Sequence, residues 1–125
     1  MAVTLKLPPG TRIFATAFTN AAYLQKVVIT PPAGAGDPIT WQGTGEDNNQ
    51  IGQQFITTPA GSQDLVYSVG AQYSSDNGAT WQDSSLLPGG TTIGSMNIKV
   101  MLSEDHVDQD FNDAVVQFLW WDPLQ

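Results

Sequence analysis

The chain has 125 residues, enough for one domain with its own core. Only 13% of residues are charged against 41% hydrophobic, which excludes a disordered polyelectrolyte, and the lack of cysteine excludes a disulfide framework and a zinc–thiolate site. The formal net charge is -8, and the four basic residues, Lys6, Arg12, Lys26 and Lys99, are scattered, so no footprint for nucleic acid exists.

Val3, Leu5 and Leu7 alternate with Thr4 and Lys6, the period of a strand with one buried face. The segment meets Pro8-Pro9-Gly10 at once, too soon for a signal peptide, and nowhere does the chain approach the ~20 apolar residues of a membrane helix. The expectation is a protein without membrane insertion, cytoplasmic or released to the surface by a leaderless route. Residues 12–18 and 25–30 are predicted as separate strands, the second stopped by Pro31-Pro32-Ala33-Gly34. Residues 53–57 form another and end at Pro59-Ala60-Gly61. Leu65, Tyr67, Val69 and Ala71 then alternate with Val66, Ser68 and Gly70.

Asp76-Asn77-Gly78 predicts a type I′ hairpin turn. It sits in Ser74-Ser75-Asp76-Asn77-Gly78-Ala79-Thr80-Trp81, which fits the Asp-box pattern of sialidase propellers. A sialidase needs several copies and an arginine cluster, and this chain has one arginine, so the stretch reads as a hairpin. Pro88-Gly89-Gly90 is a further breaker. Met96, Ile98, Val100 and Leu102 alternate with Asn97, Lys99 and Met101, and residues 113–120 form the last strand. No window holds a capped 3.6-residue period. The fold class is all-β, a single-domain antiparallel β-sandwich over 1–125.

Five of the twelve acidic residues, Glu104, Asp105, Asp108, Asp110 and Asp113, fall within ten positions. Carboxylates this close repel one another. Alternation of Asp108, Asp110 and Asn112, with Asp113 adjacent, turns several oxygens toward one centre, and an all-oxygen donor set suits calcium. An EF-hand starts in the same way, but its required Gly and Glu positions hold Asp113 and Leu119. The competing readings are a solvated acidic turn and a calcium ion used purely as a staple. His106 reads as a rim residue, since oxygen donors already suffice. Ser103, His106 and Asp108 are crowded into one loop and imply no catalytic triad, so the protein is not expected to be an enzyme.

Two segments together resemble the calcium-mediated bacterial lectins of the fucose- and mannose-binding LecB (PA-IIL-like) family. One is Leu7-Pro8-Pro9-Gly10-Thr11-Arg12-Ile13-Phe14-Ala15-Thr16-Ala17-Phe18-Thr19-Asn20, and the other runs from Ser103-Glu104-Asp105 through Asn112-Asp113-Ala114-Val115-Val116. The resemblance implies a homodimer or homotetramer in which two calcium ions per chain directly coordinate hydroxyls of a mannose- or fucose-type sugar. The metal ligands it implies are Asn20, Glu104, Asp108, Asp110, Asn112 and Asp113, with the terminal carboxylate of Gln125 reaching a neighbouring subunit's site. The sugar contacts it implies are Asn20, Ala21, Ala22, Tyr23, Asp105, Asp108, Asp110 and Asp113. Ala21-Ala22-Tyr23 stands where the family carries a loop that tunes fucose against mannose, and an Ala at its first place leans toward mannose. The alternative is a structural or toxin-associated β-sandwich that retains calcium and has lost the sugar. Trp120 and Trp121 are consecutive in a strand, so one faces outward, better suited to a subunit interface than to a ligand.

Overall fold

The computed structural model describes residues 2–105 and 110–123. Its strands are β1 (Ala2–Leu7), β2 (Arg12–Thr30), β3 (Ile39–Thr57), β4 (Leu65–Ser74), β5 (Gln82–Asp83), β6 (Ser85–Ile93), β7 (Met96–Glu104) and β8 (Ala114–Trp121). All strand pairs are antiparallel, and the hydrogen-bonded order is β1-β4-β2-β8-β7-β6, with β3 also on β2 and β5 on β4. Among the described residues no helix is long and apolar enough to cross a membrane.

The sandwich arises because β2 and β3 are long and bent. The first half of β2 pairs with β8 and the end of β3, whereas its second half pairs with β4 and the start of β3. Register shifts between Ala17 and Gln25 bend the ribbon, so each strand serves both layers. The two halves of β3 then meet face to face. A Cβ on Gly52 would lie 2.1 Å from the Trp41 ring, and one on Gly43 would lie 2.3 Å from Ile51. Only glycine permits that approach. Between the layers lie Leu7, Ile13, Val27, Ile29, Tyr67, Val69, Met101, Val116 and Phe118, drawn from five strands and all buried.

Several expectations need correction. Residues 12–18 and 25–30 are one strand, because bulges carry the ladder across the site loop instead of breaking it. The polar stretch before Gln53 is also strand: β3 gains its backbone bonds from β2 and leaves most side chains exposed, so no apolar period marks it. Pro88-Gly89-Gly90 lies inside β6, an edge strand, where a missing N–H disrupts no inner ladder. In β7 the fully buried apolar side chain is Met101, opposite Val116, while Met96, Ile98, Val100 and Leu102 are half-buried on the other face.

The Asp76 hairpin forms as expected. Asn77 and Gly78 have φ of 57° and 90°, as a type I′ turn requires. Asp76 accepts from Thr80 N at 2.9 Å and from Ser74 Oγ at 2.6 Å, and these hydroxyl and amide donors hold its carboxyl down at about 2. Lys26 lies over the Trp81 ring, 4.1 Å from its centroid. Trp120 is buried and Trp121 is 61% exposed, the division that consecutive strand positions demand.

Candidate functional site

The acidic loop joins β7 to β8, and the sheet clamps its two ends together. Asp113 N donates to the Ser103 carbonyl at 3.1 Å, and Ala114 N donates to Ser103 Oγ at 3.0 Å. Asp105 N donates to the Asp113 carboxylate at 2.8 Å, and Asn20 N donates to the Asp113 carbonyl at 3.0 Å. The loop therefore leaves and re-enters the sheet at one point beside the bulge of β2. Phe111 takes a φ of 53°, strained for a bulky residue, in the middle of this connection.

Carboxylate oxygens of Glu104, Asp110 and Asp113 lie within 4.8 Å of one another. Glu104 is 1%, Asp113 3% and Asp105 5% exposed, so water cannot screen their charges well. Burial pushes the Asp113 carboxyl up to about 8; the Asp105 N–H opposes this, and the neighbouring Glu104 and Asp105 carboxyls reinforce it. Arg12, Lys26 and Lys99 are engaged with other groups: they lie over Phe55, over Trp81 and on the Lys6 carbonyl.

Asn112 adds a second sign. Its Oδ1 is buried and finds no hydrogen-bond donor among the described residues, while its backbone carbonyl accepts from Asn20 Nδ2 at 3.1 Å. A buried acceptor oxygen without a donor is costly unless something positive meets it. An amide oxygen beside crowded carboxylates is the donor set of a hard cation such as calcium, so the residues present fit the ion that the sequence implies.

Next to the cluster lies a cavity of about 330 Å³, lined by Asn20, Ala21, Ala22, Tyr23, Glu46, Asp105 and Asp113. Its wall is the bulged crossing of β2 and β3. Asn20 Oδ1 accepts from Asn48 N at 2.7 Å and Asn20 Nδ2 donates to Asn48 Oδ1 at 2.9 Å, tying β3 to the acidic loop through one side chain. Asp47 and Asn48 take φ of 59° and 56°, a conformation that Asp and Asn tolerate better than most residues. A larger cavity of about 470 Å³ lies between β1 and β6–β7, near Leu5, Gly90, Asn97 and Trp120; no acidic residue lines it.

The structure thus brings Glu104, Asp110 and Asp113 into one cluster, leaves the Oδ1 of Asn112, the chain neighbour of Asp113, buried without a donor among the described residues, and places Asn20, Ala21, Ala22, Tyr23 and Asp105 on the adjoining cavity. Asp108, His106 and Gln125 lie outside the described residues. Glu46 was not foreseen. It is exposed on β3 and joins the cavity only because the strand bulges there; the one local signal is the turn-forming run Gly45-Glu46-Asp47-Asn48-Asn49.

An antiparallel sandwich whose oxygen-donor cluster adjoins a cavity lined by both apolar and acidic side chains has the form of a small-ligand-binding domain. Residues 5–122 match the fucose-binding lectin II (PA-IIL) family, and the chain belongs to it. This is a family of carbohydrate-binding lectins rather than enzymes. A high-affinity mannose-binding lectin of Ralstonia solanacearum is similar at 26% identity and a TM-score of 0.77, with 98% of this chain and 96% of that one covered. Chromobacterium violaceum lectin CV2L, solved with alpha-methyl-fucoside, is similar at 26% identity and a TM-score of 0.72, with the same coverage of 98% and 96%. The C-terminal domain of the BC2L-C lectin from Burkholderia cenocepacia is similar at 25% identity and a TM-score of 0.74, with both chains covered in full, 100% and 100%. A search of curated protein sequences finds no match.

Proposed function

We propose that this protein is a calcium-dependent lectin for mannose- or fucose-type sugars. The observation that carries the reading is the convergence of Glu104, Asp110 and Asp113, the last of which also lines a cavity of about 330 Å³. Glu104, Asp108, Asp110, Asn112 and Asp113 would hold two calcium ions, with Asn20 and a neighbouring subunit's Gln125 terminus closing the site. Calcium bound there offers open coordination positions to a pair of adjacent sugar hydroxyls. Asp105 and Asp113 present carboxylate oxygens to the same cavity and accept hydroxyl protons, the stronger kind of neutral-donor hydrogen bond. Asn20 sets the distance between β3 and the acidic loop. No bond is made or broken, so no general acid or base is needed.

A homodimer or tetramer fits the exposed apolar surface formed by Phe14, Phe55, Leu119 and Trp121. Several linked sites would raise avidity well above the affinity of one. The test is a glycan array, run with calcium and repeated after metal removal. Metal-dependent retention of mannose or fucose glycans supports the lectin. Calcium that raises the melting temperature with no glycan bound would leave only the structural staple.

A further inference from the structure

We infer that Tyr23 forms a rigid aromatic subsite beside the metal cluster, so that the protein selects glycosides whose sugar carries a second ring over free or methyl-capped sugars. This rests on the lectin reading above and extends it from a monosaccharide to what is attached to it.

Tyr23 lines the cavity and is 38% exposed. Its ring is stacked on that of Tyr73, with centroids 6.0 Å apart and planes 9° apart. Tyr73 is itself mostly buried and anchored, its hydroxyl donating to Gln82 Oε1 at 2.9 Å. The offset Tyr73 ring supports Tyr23 from one side and still leaves it 38% exposed.

The backbone beneath it is held equally firmly. Thr44 Oγ1 bonds to the Ala21 carbonyl at 2.8 Å and to the Ala22 carbonyl at 3.0 Å, and the buried Gln25 donates to the Tyr23 carbonyl at 3.2 Å. Three successive carbonyls of this short loop are thus tied to side chains from two strands. A ring fixed before binding loses little freedom when a ligand covers it. Ala21 and Ala22 offer no side-chain hydroxyl, so the loop's only side chain able to make extensive contact is the tyrosine ring. Tyr23 shares this cavity with Asp105 and Asp113, whose carboxyls would meet the sugar hydroxyls. A ring face at that place suits the apolar side of a second sugar or an aromatic aglycone.

The experiment is calorimetry in calcium with methyl and 4-nitrophenyl α-glycosides of mannose and fucose, on the native protein, Tyr23→Ala and Tyr23→Phe. The native protein should prefer the aryl over the methyl glycoside by about three- to tenfold. Tyr23→Phe should keep that preference, and Tyr23→Ala should reduce it to less than about twofold. A native protein that binds both glycosides equally, or a Tyr23→Ala variant that retains the full preference, overturns the subsite and leaves the lectin standing. A native protein that binds neither overturns the lectin reading and the subsite with it.

Discussion

Removing calcium should expose a pH dependence set by Asp113. In the metal-free folded chain its carboxyl titrates at about 8 rather than at the ordinary 3.8, because burial and the Glu104 and Asp105 carboxyls penalise its charge. Between those two values the folded state holds a proton that the unfolded state has released. Stability from this source is therefore complete below pH 3.8 and falls as pH rises, until it is lost above 8. One proton sets the slope at no more than about 1.4 kcal/mol per pH unit. Calcium must displace the same proton. At neutral pH the metal-free site still holds that proton, so calcium uptake releases it, and affinity rises with pH, by no more than about tenfold per pH unit, toward pH 8. Melting curves of metal-stripped protein, with and without added calcium, should separate progressively from pH 5 to pH 8. Calorimetry in two buffers of different ionisation enthalpy counts the proton directly. The Asp76 carboxyl, held low at about 2, contributes stability that is present above 3.8 and lost as pH falls through 2, below this window. A calcium effect that shrinks with rising pH, or uptake without proton release, would refute the account of Asp113.

Asp110→Ala removes one of the three clustered carboxylates and should abolish calcium uptake; unaltered binding by calorimetry would sink the site assignment. Gly52→Ala places a Cβ against the Trp41 ring and should cost about 1–3 kcal/mol in denaturant unfolding, because the bent β3 cannot open without disturbing β2. A change below a few tenths would mean that the ring moves freely. Trp121→Glu puts a charge on the exposed apolar surface and should shift sedimentation from oligomer to monomer. A native chain already monomeric at micromolar concentration would rule that surface out as an interface.

The legibility of the fold followed where each strand's partners lie. β1 and β4 each pack one face inward, so their alternation was visible, and Leu5, Leu7, Tyr67, Val69 and Ala71 are buried as that period requires. β3 and β6 carried no such mark. Their strand state comes from hydrogen bonds to β2 and β7, and their side chains are largely exposed. β7 misled because its apolar period, Met96, Ile98, Val100 and Leu102, stays half-buried, while Met101, alone among Asn97, Lys99 and Ser103 on the opposite face, is the apolar side chain fully buried, opposite Val116 of β8.

The acidic loop was written in the chain itself. Carboxylates packed within ten positions repel one another whatever the fold, so the candidate cation site was visible as a pattern, and burial of Glu104, Asp105 and Asp113 sets it apart from a solvated acidic turn. The family motifs were equally local and needed no tertiary contact to read. What folding decided is the rest of the site. The β2 bulge brings Asn20 to the loop, the β3 bulge brings Glu46 and Asn48, and the Tyr73 ring comes to lie behind Tyr23, fifty positions away. A cavity is a relation among segments distant in sequence, and its walls exist only once the ladder has bent them together.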